Sequence, residues 1–398
     1  MDPYSPLPAI VSLGVALATS QALSRFSRAT STAERYASID GLRGFLAFFV
    51  YLHHSSIWYS YLRTGRWEVP PSNLYTHFGQ SAVALFFMIT GFLFFSKIIE
   101  ARLTKIDWFR LFLSRLLRLV PLYSLVVSLV FLTVFILSNG ALNEPLPKLL
   151  LGVIKWLAFT FVGAPDINGV ERTWIIVAGV TWSLPYEWLF YFSLPILAFT
   201  VGVIPPFIYI GLAFFSITYA VYHPSTYYLS FIGGIAASLL VRVGVVRRLA
   251  VGGTGSIVLV ASLVAIVSAF PSAYGVPQLF LLTAFFTLIA SGNSVFGLLL
   301  TPAARTLGNF SYGIYLLHGI ALFVTFNFAL GLPQASELSV EQHWSVVVVL
   351  TPLLVFVSFL SFKFVEYPAM LKTACLTRWI RSIGDRLRVA SRRHLGDG

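Results

Sequence analysis

The sequence predicts an all-α protein, a polytopic helical bundle built for a membrane, and three observations carry that reading. Apolar runs of about 17 to 25 residues, the length a helix needs to cross a hydrocarbon core about 30 Å thick, recur from one end of the chain to the other. The 398 residues are 57% hydrophobic and 11% charged, against roughly 25% charged in an average soluble domain, and the mean hydropathy is +0.83. Basic residues gather in three short stretches beside those runs, the pattern of cytoplasmic segments under the positive-inside rule.

A weaker apolar stretch, 7–23, comes first. It lacks a basic n-region, which argues against a cleaved signal peptide. With Arg25, Arg28 and Arg35 directly after it, it either spans as an extra N-terminal helix or lies on the surface. The runs 42–61, 78–98, 117–137, 188–203, 205–221, 227–241, 257–270, 276–290, 310–330 and 344–364 then predict about ten core transmembrane helices. No fixed-period repeat aligns them, so a solenoid is unsupported.

Charge sets the expected topology. Lys97, Arg102, Lys105, Arg110, Arg115 and Arg118 follow the second run, with only Glu100 and Asp107 against them. Arg242, Arg247 and Arg248 follow the sixth, and Lys372, Arg378, Arg381, Arg386, Arg388, Arg392 and Arg393 fill the tail. All three stretches are expected inside. If the shorter run 149–162 also spanned, Arg242 to Arg248 would fall outside, so 149–162 is expected to be re-entrant or interfacial and 139–187 to lie at the outer face. The chain divides into a membrane-associated or spanning segment, 1–37, a membrane domain, 38–368, and a basic cytoplasmic tail, 369–398.

The net charge of +12 and pI of about 9.9 would point to nucleic acid in a soluble protein, but here the cations sit at helix ends and in short loops, so no nucleic-acid partner is expected. The single Cys375 can form neither an internal disulfide nor a cysteine-rich metal site, and no metal is expected.

Ionisable groups within apolar runs cost at least a few kcal/mol on insertion scales and call for a reason. The first core helix opens Ser38-Ile39-Asp40-Gly41-Leu42-Arg43-Gly44 and reaches His53-His54. Asp40 suits an N-cap, three residues from Arg43. Arg43 and His54 lie eleven positions apart, about 16 Å of helical rise, on nearly one face. His53 is about 100° around the helix, so spacing selects His54, whose neutral imidazole could take a proton from a hydroxyl. A snorkelling arginine with an interfacial histidine is the plainer alternative.

Arg115 and Arg118, one turn apart, could clamp a phosphate through forked hydrogen bonds or could simply signal orientation. Glu187, in Trp182-Ser183-Leu184-Pro185-Tyr186-Glu187-Trp188, is expected near the outer face with His54, where it could orient an acceptor or pair with the histidine. His318, closing Ser311-Tyr312-Gly313-Ile314-Tyr315-Leu316-Leu317-His318, could line a cavity or bond a neighbouring helix. Glu366, in Phe364-Val365-Glu366-Tyr367-Pro368, ends the last run.

In this order the motifs resemble acyltransferase family 3, polytopic enzymes that acylate cell-envelope sugars and related acceptors. The resemblance rests on Ile39 to Gly44 through His54, on Leu85-Phe86-Phe87-Met88-Ile89-Thr90-Gly91-Phe92, on Arg115 to Pro121, on Trp182-Ser183-Leu184 with Glu187, on Ser311 to His318, and on Glu366 with Pro368. Thr90 stands where the family usually has serine, Ala82 where glycine is common, and Pro185 interrupts the tryptophan-glutamate segment. No extracellular esterase-like domain follows the membrane part.

The resemblance implies a multi-pass protein of the cell inner membrane, C-terminus cytoplasmic, moving an acyl group, usually acetyl from cytosolic acetyl-CoA, to a sugar or polysaccharide hydroxyl at the outer face. His54 would be general base or transient acyl carrier, with Arg43 supporting and Glu187 positioning. Arg115 and Arg118 would bind the CoA phosphates. Asp40, Thr90, Trp182, Ser183, Tyr312, His318 and Glu366 would support the site. The reading from another class is a proton-coupled transporter or flippase using His54, Glu187 and His318, although the broken helices or inverted repeats of such proteins are not evident.

Overall fold

The structure is a computed structural model that describes residues 2–26, 36–102, 105–223 and 225–396. Arg28 and Arg35 lie outside the described residues, as do the side chains of Arg388, Arg392 and Arg393. The protein is an all-α membrane bundle. The described residues contain no strand, only one isolated antiparallel bridge between Ile167 and Val170.

The N-terminal helix α1 (Pro6–Ser24) is followed by α2 (Ala37–Thr64), α3 (Asn73–Glu100) and α4 (Trp108–Leu137). After α5 (Leu146–Leu157) the chain makes two short 3₁₀ turns, Thr173–Val177 and Val180–Trp182. Then come α6 (Ser183–Thr200), α7 (Ile208–Tyr222), α8 (Tyr227–Leu240), α9 (Gly244–Ala250), α10 (Gly253–Ala269) and α11 (Val276–Ala290). The C-terminal part holds α12 (Pro302–Asn309), α13 (Ser311–Phe323), α14 (Leu332–Glu337), α15 (Val340–Ser361), α16 (Tyr367–Leu371) and α17 (Thr373–Gly396). Both α13 and α15 run on into π-helical turns, Val324–Ala329 and Phe362–Glu366.

All ten apolar runs are helical, but their reach differs. Five described helical segments are long and apolar enough to cross a bilayer: α1, α3, α4, Ser311–Ala329 and Val340–Ile383, with α8 and α9 a sixth if that pair, bent by 102°, counts as one span. Helices α7, α10 and α11 have 15, 17 and 15 residues, about 22 to 26 Å of rise, short of a full hydrocarbon core. The 28-residue α2 is long enough yet carries Asp40, Arg43, two histidines and Arg63; it lies at the centre, packed by α3, α12 and α13, so both histidines are buried in protein while Arg63, at its last turn, is exposed. The run 149–162 yields the 12-residue α5, about 18 Å long, which cannot span. It exposes Leu146, Leu150, Leu151, Ile154 and Leu157 while burying Gly152 and Trp156, the segregation of an interfacial helix.

Two glycines allow the close approaches that build the centre. A Cβ at Gly308 would overlap the Asp40 carbonyl oxygen, so α12 meets the first turn of α2 backbone to backbone, the contact small residues permit between membrane helices. A Cβ at Gly319 would overlap the Val177 backbone, so the 3₁₀ segment dips against α13. There Ala178 (φ 51°) and Gly179 (φ 71°) take left-handed conformations and turn the chain into α6. That turn decides which way the Trp182-to-Glu187 segment faces.

Candidate active site

Five helices each contribute one stripe to a cavity of about 350 Å³. Helix α2 supplies Asp40 and Arg43, α3 Val83, Phe86, Phe87 and Thr90, and α4 Arg115, Arg118 and Leu119. Helix α6 supplies Ser183, Leu184, Glu187 and Tyr191, and α13 supplies Ser311, Tyr312 and Tyr315. These spacings of three and four residues put each set on one helix face. Most of the wall is apolar, with three guanidinium groups set into it.

Those groups are poorly neutralised. The Arg115 Nε lies 3.4 Å from Ser114 Oγ, and its guanidinium carbon sits 5.2 Å from the Phe94 ring centre. Arg118 reaches the Met370 sulfur at 3.9 Å. Among the described residues no carboxylate lies within ion-pair distance of Arg43, Arg115 or Arg118. Glu187 accepts a hydrogen bond from the Tyr191 hydroxyl. Glu366, fully buried, has no hydrogen-bond partner at either carboxylate oxygen, although it lies within electrostatic reach of Arg118 and Arg43. Three cations in a largely apolar cavity, with Asp40, Glu187 and Glu366 nearby but none within ion-pair distance of them among the described residues, can hold an anion, because buried charges left unpaired gain most from a ligand of opposite sign.

A second, larger cavity of about 690 Å³ lies beyond the first. His53 and His54 line it, with Trp67, Trp174, Trp182, Tyr186 and Tyr219 as aromatic walls and Glu68 beside them. The α6 entrance divides the two spaces: Thr181, Trp182, Pro185 and Tyr186 face the histidine cavity, while Ser183, Leu184 and Glu187 face the arginine cavity. Within this partition Ser183 Oγ and Tyr315 Oη are 2.8 Å apart, and the Tyr315 hydroxyl also lies 3.1 Å from the Val180 carbonyl.

Backbone carbonyls dictate the protonation pattern of the histidines. His318 Nδ1 is 2.9 Å from the Ile314 carbonyl oxygen, and since a carbonyl only accepts, that nitrogen carries the hydrogen. A neutral His318 therefore presents Nε2 as an acceptor, 2.9 Å from His54 Nδ1. His54 Nδ1 must donate, and it also lies 3.0 Å from the Val50 carbonyl. The hydrogen is thus held at Nδ1 of His54, leaving Nε2 with a free lone pair on a ring that lines the second cavity. His53 repeats the logic: its Nδ1 donates to the Tyr75 carbonyl at 2.7 Å.

Of the residues singled out from sequence, Asp40, Arg43, Thr90, Arg115, Arg118, Ser183, Glu187 and Tyr312 meet in the arginine cavity, and His54 and Trp182 line the other. His318 stands behind His54 and lines neither, and Glu366 is buried behind the arginines. Glu187, expected near the outer face with His54, lines the arginine cavity one turn into α6, which starts at Ser183. His53, which spacing did not select, lines the second cavity together with His54. Tyr191 and Tyr315 escaped the sequence reading, although Glu187 to Tyr191 and Ser311 to Tyr315 are both i, i+4 pairs. Trp67 and Trp174 carried no sequence signal, since each is an isolated aromatic in an expected connection between helices.

Residues 36–363 match the family model described as an acyltransferase domain, that of acyltransferase family 3. The chain belongs to this family. No curated protein and no solved structure matches it. In this membrane acyltransferase the matched span takes in every residue lining the two cavities except Met370, and Glu366 falls just past its end.

Proposed function

We propose that this acyltransferase takes its acyl group from acyl-CoA, seated with its phosphates on Arg115 and Arg118 and supported by Arg43, and passes it to a hydroxyl of an acceptor in the histidine cavity. The observation that carries the reading is the His318–His54 pair, whose fixed hydrogen positions leave His54 Nε2 basic on the side facing away from the arginines.

In the reaction, His54 Nε2 takes the acceptor hydroxyl proton as that oxygen attacks the thioester carbonyl. The carbon–sulfur bond then breaks, and the imidazolium returns its proton to the departing CoA thiolate, so protons balance without a metal or further cofactor. His318 Nε2 accepts from the positive ring through Nδ1, a bond that strengthens as charge develops. Ser183 and Tyr315 stand where the donor arm would cross the partition, and the hydroxyl at Thr90 supports the donor side. Glu187, bonded to Tyr191, adds negative charge on the donor side.

The aromatic walls favour an acceptor with flat apolar faces and hydroxyls on its edge, as a sugar ring has. Placing the arginine cavity at the basic, cytoplasmic end gives donor access from the cytosol and acceptor access from the other side of the inner membrane, with the C-terminus cytoplasmic. Acetyl is favoured as the acyl group by family likeness. The domain reading follows: 38–368 as catalytic membrane domain between an N-terminal membrane segment and a basic tail.

The test is transfer of labelled acetyl from acetyl-CoA to envelope glycan by purified protein. His54→Ala should lower kcat by about 10² to 10⁴, the range for a general base, in protein that still inserts and elutes as folded. Transfer at the unmodified rate would sink the assignment.

A further inference from the structure

The C-terminal helix α17 packs one side against α4 and leaves the other open. Arg381 bonds Asp107 at 2.6 Å, and Asp107 is the N-cap of α4. The Arg381 guanidinium lies 5.9 Å from the Phe109 ring centre, and Thr377 is buried on this side. On the other side Trp379 is 58% exposed, and Ile380 and Ile383 are 37% exposed each. These positions fall within an arc of about 100°. Exposed Arg386 lies about 20° beyond the Trp379 edge of the arc and exposed Arg378 about 100° beyond it, with exposed Lys372 just before the helix.

We infer that this face of α17 binds the anionic headgroups of the membrane leaflet at the basic end of the bundle. The bilayer is the nearest apolar phase, because α15, α16 and the start of α17 form one helical run, Val340–Ile383. Phe364 and Leu371, 67% and 63% exposed, carry its open apolar surface up to α17. Trp379 comes eight residues after Leu371, about 12 Å of rise, where tryptophan marks a headgroup region. Residues 369–398 hold seven lysines and arginines against two aspartates. An apolar arc with cations along one edge is the pattern of a helix held at an anionic lipid surface. An acidic protein partner would use the cations but leave the tryptophan and isoleucines without an apolar phase.

The native Cys375, exposed near the start of α17 and the chain's single cysteine, supplies the probe position. Full-length protein labelled there with an environment-sensitive fluorophore would be placed in nanodiscs of phosphatidylcholine alone, or with about 30% phosphatidylglycerol, and quenched with lipids spin-labelled near the headgroup. Each arginine near an anionic surface contributes about fivefold to partitioning. Quenching should therefore be several-fold stronger in anionic discs, fall with added salt, and drop to the neutral-disc level in Arg378→Gln/Arg386→Gln. Trp379→Ser/Ile383→Ser should weaken it in both discs. These side chains are exposed, so unchanged elution and unfolding would confirm intact protein. Equal quenching in the two bilayers, or anionic quenching that survives the charge variant, would overturn the inference.

Discussion

Replacing His318 with phenylalanine separates the proposed base from the residue that holds it. The variant fills much the same volume but removes the acceptor 2.9 Å from His54 Nδ1, leaving the Val50 carbonyl at 3.0 Å as the partner of that N–H. In the ground state both rings are neutral, and such a bond is worth about 0.5 to 1.5 kcal/mol. In the transition state His54 is positive, and the same bond becomes charge-assisted, about 1.5 to 3 kcal/mol. The difference, about 1 to 1.5 kcal/mol, falls on the barrier alone and corresponds to about a tenfold loss of kcat. Since His318 lines neither cavity, the KM for acyl-CoA should stay put. Initial rates of CoA thiol release by purified variant supply both constants. His318→Gln, whose amide oxygen can still accept, should recover most of the loss. A kcat loss as deep as that of His54→Ala, an unchanged kcat, or a shift in KM would each refute the reasoning.

Two further outcomes follow from the arginine cavity. Arg115→Ala and Arg118→Ala should each weaken CoA binding by about 10- to 100-fold, the loss of a charged hydrogen bond, with kcat at saturating donor little changed; calorimetric titration with CoA checks this, and unaltered affinity would move the donor elsewhere. Glu366→Gln replaces a buried carboxyl within reach of Arg118 and Arg43 with an uncharged amide of the same shape, so CoA should bind more tightly, by up to about fivefold. Weaker binding would mean that the carboxylate holds the arginines in place.

How much of this was legible in the sequence depended on whether a feature is local. Arg43 and His54 share one helix, and Arg115 and Arg118 another, so the 3.6-residue period was enough to orient them. The helical bundle itself followed from apolar run length, and the sum of charges beside the runs identified 149–162 as non-spanning. The facing of Glu187 was out of reach because it depends on left-handed residues at Ala178 and Gly179, held by the close approach of Gly319 to Val177 from a distant helix. Helix α12 also escaped, since its Pro302–Asn309 segment is too polar for an apolarity scan and is recruited by backbone contact with α2. The His54–His318 bond joins positions 264 residues apart; periodicity marked each ring as notable but could not pair them.

The wall between the two chambers, closed by the hydroxyls of Ser183 and Tyr315, bears on how the enzyme avoids waste and how it could be blocked. On the proposed reading, a thioester bound on the arginine side would be shielded from water entering the histidine side, so idle hydrolysis should be slow until the wall is breached. A two-headed compound, with an anionic end for one chamber and a flat polyhydroxylated end for the other, would engage both at once. Its second contact would be made at the high effective concentration that tethering confers, so breaking the tether should cost far more affinity than trimming either end.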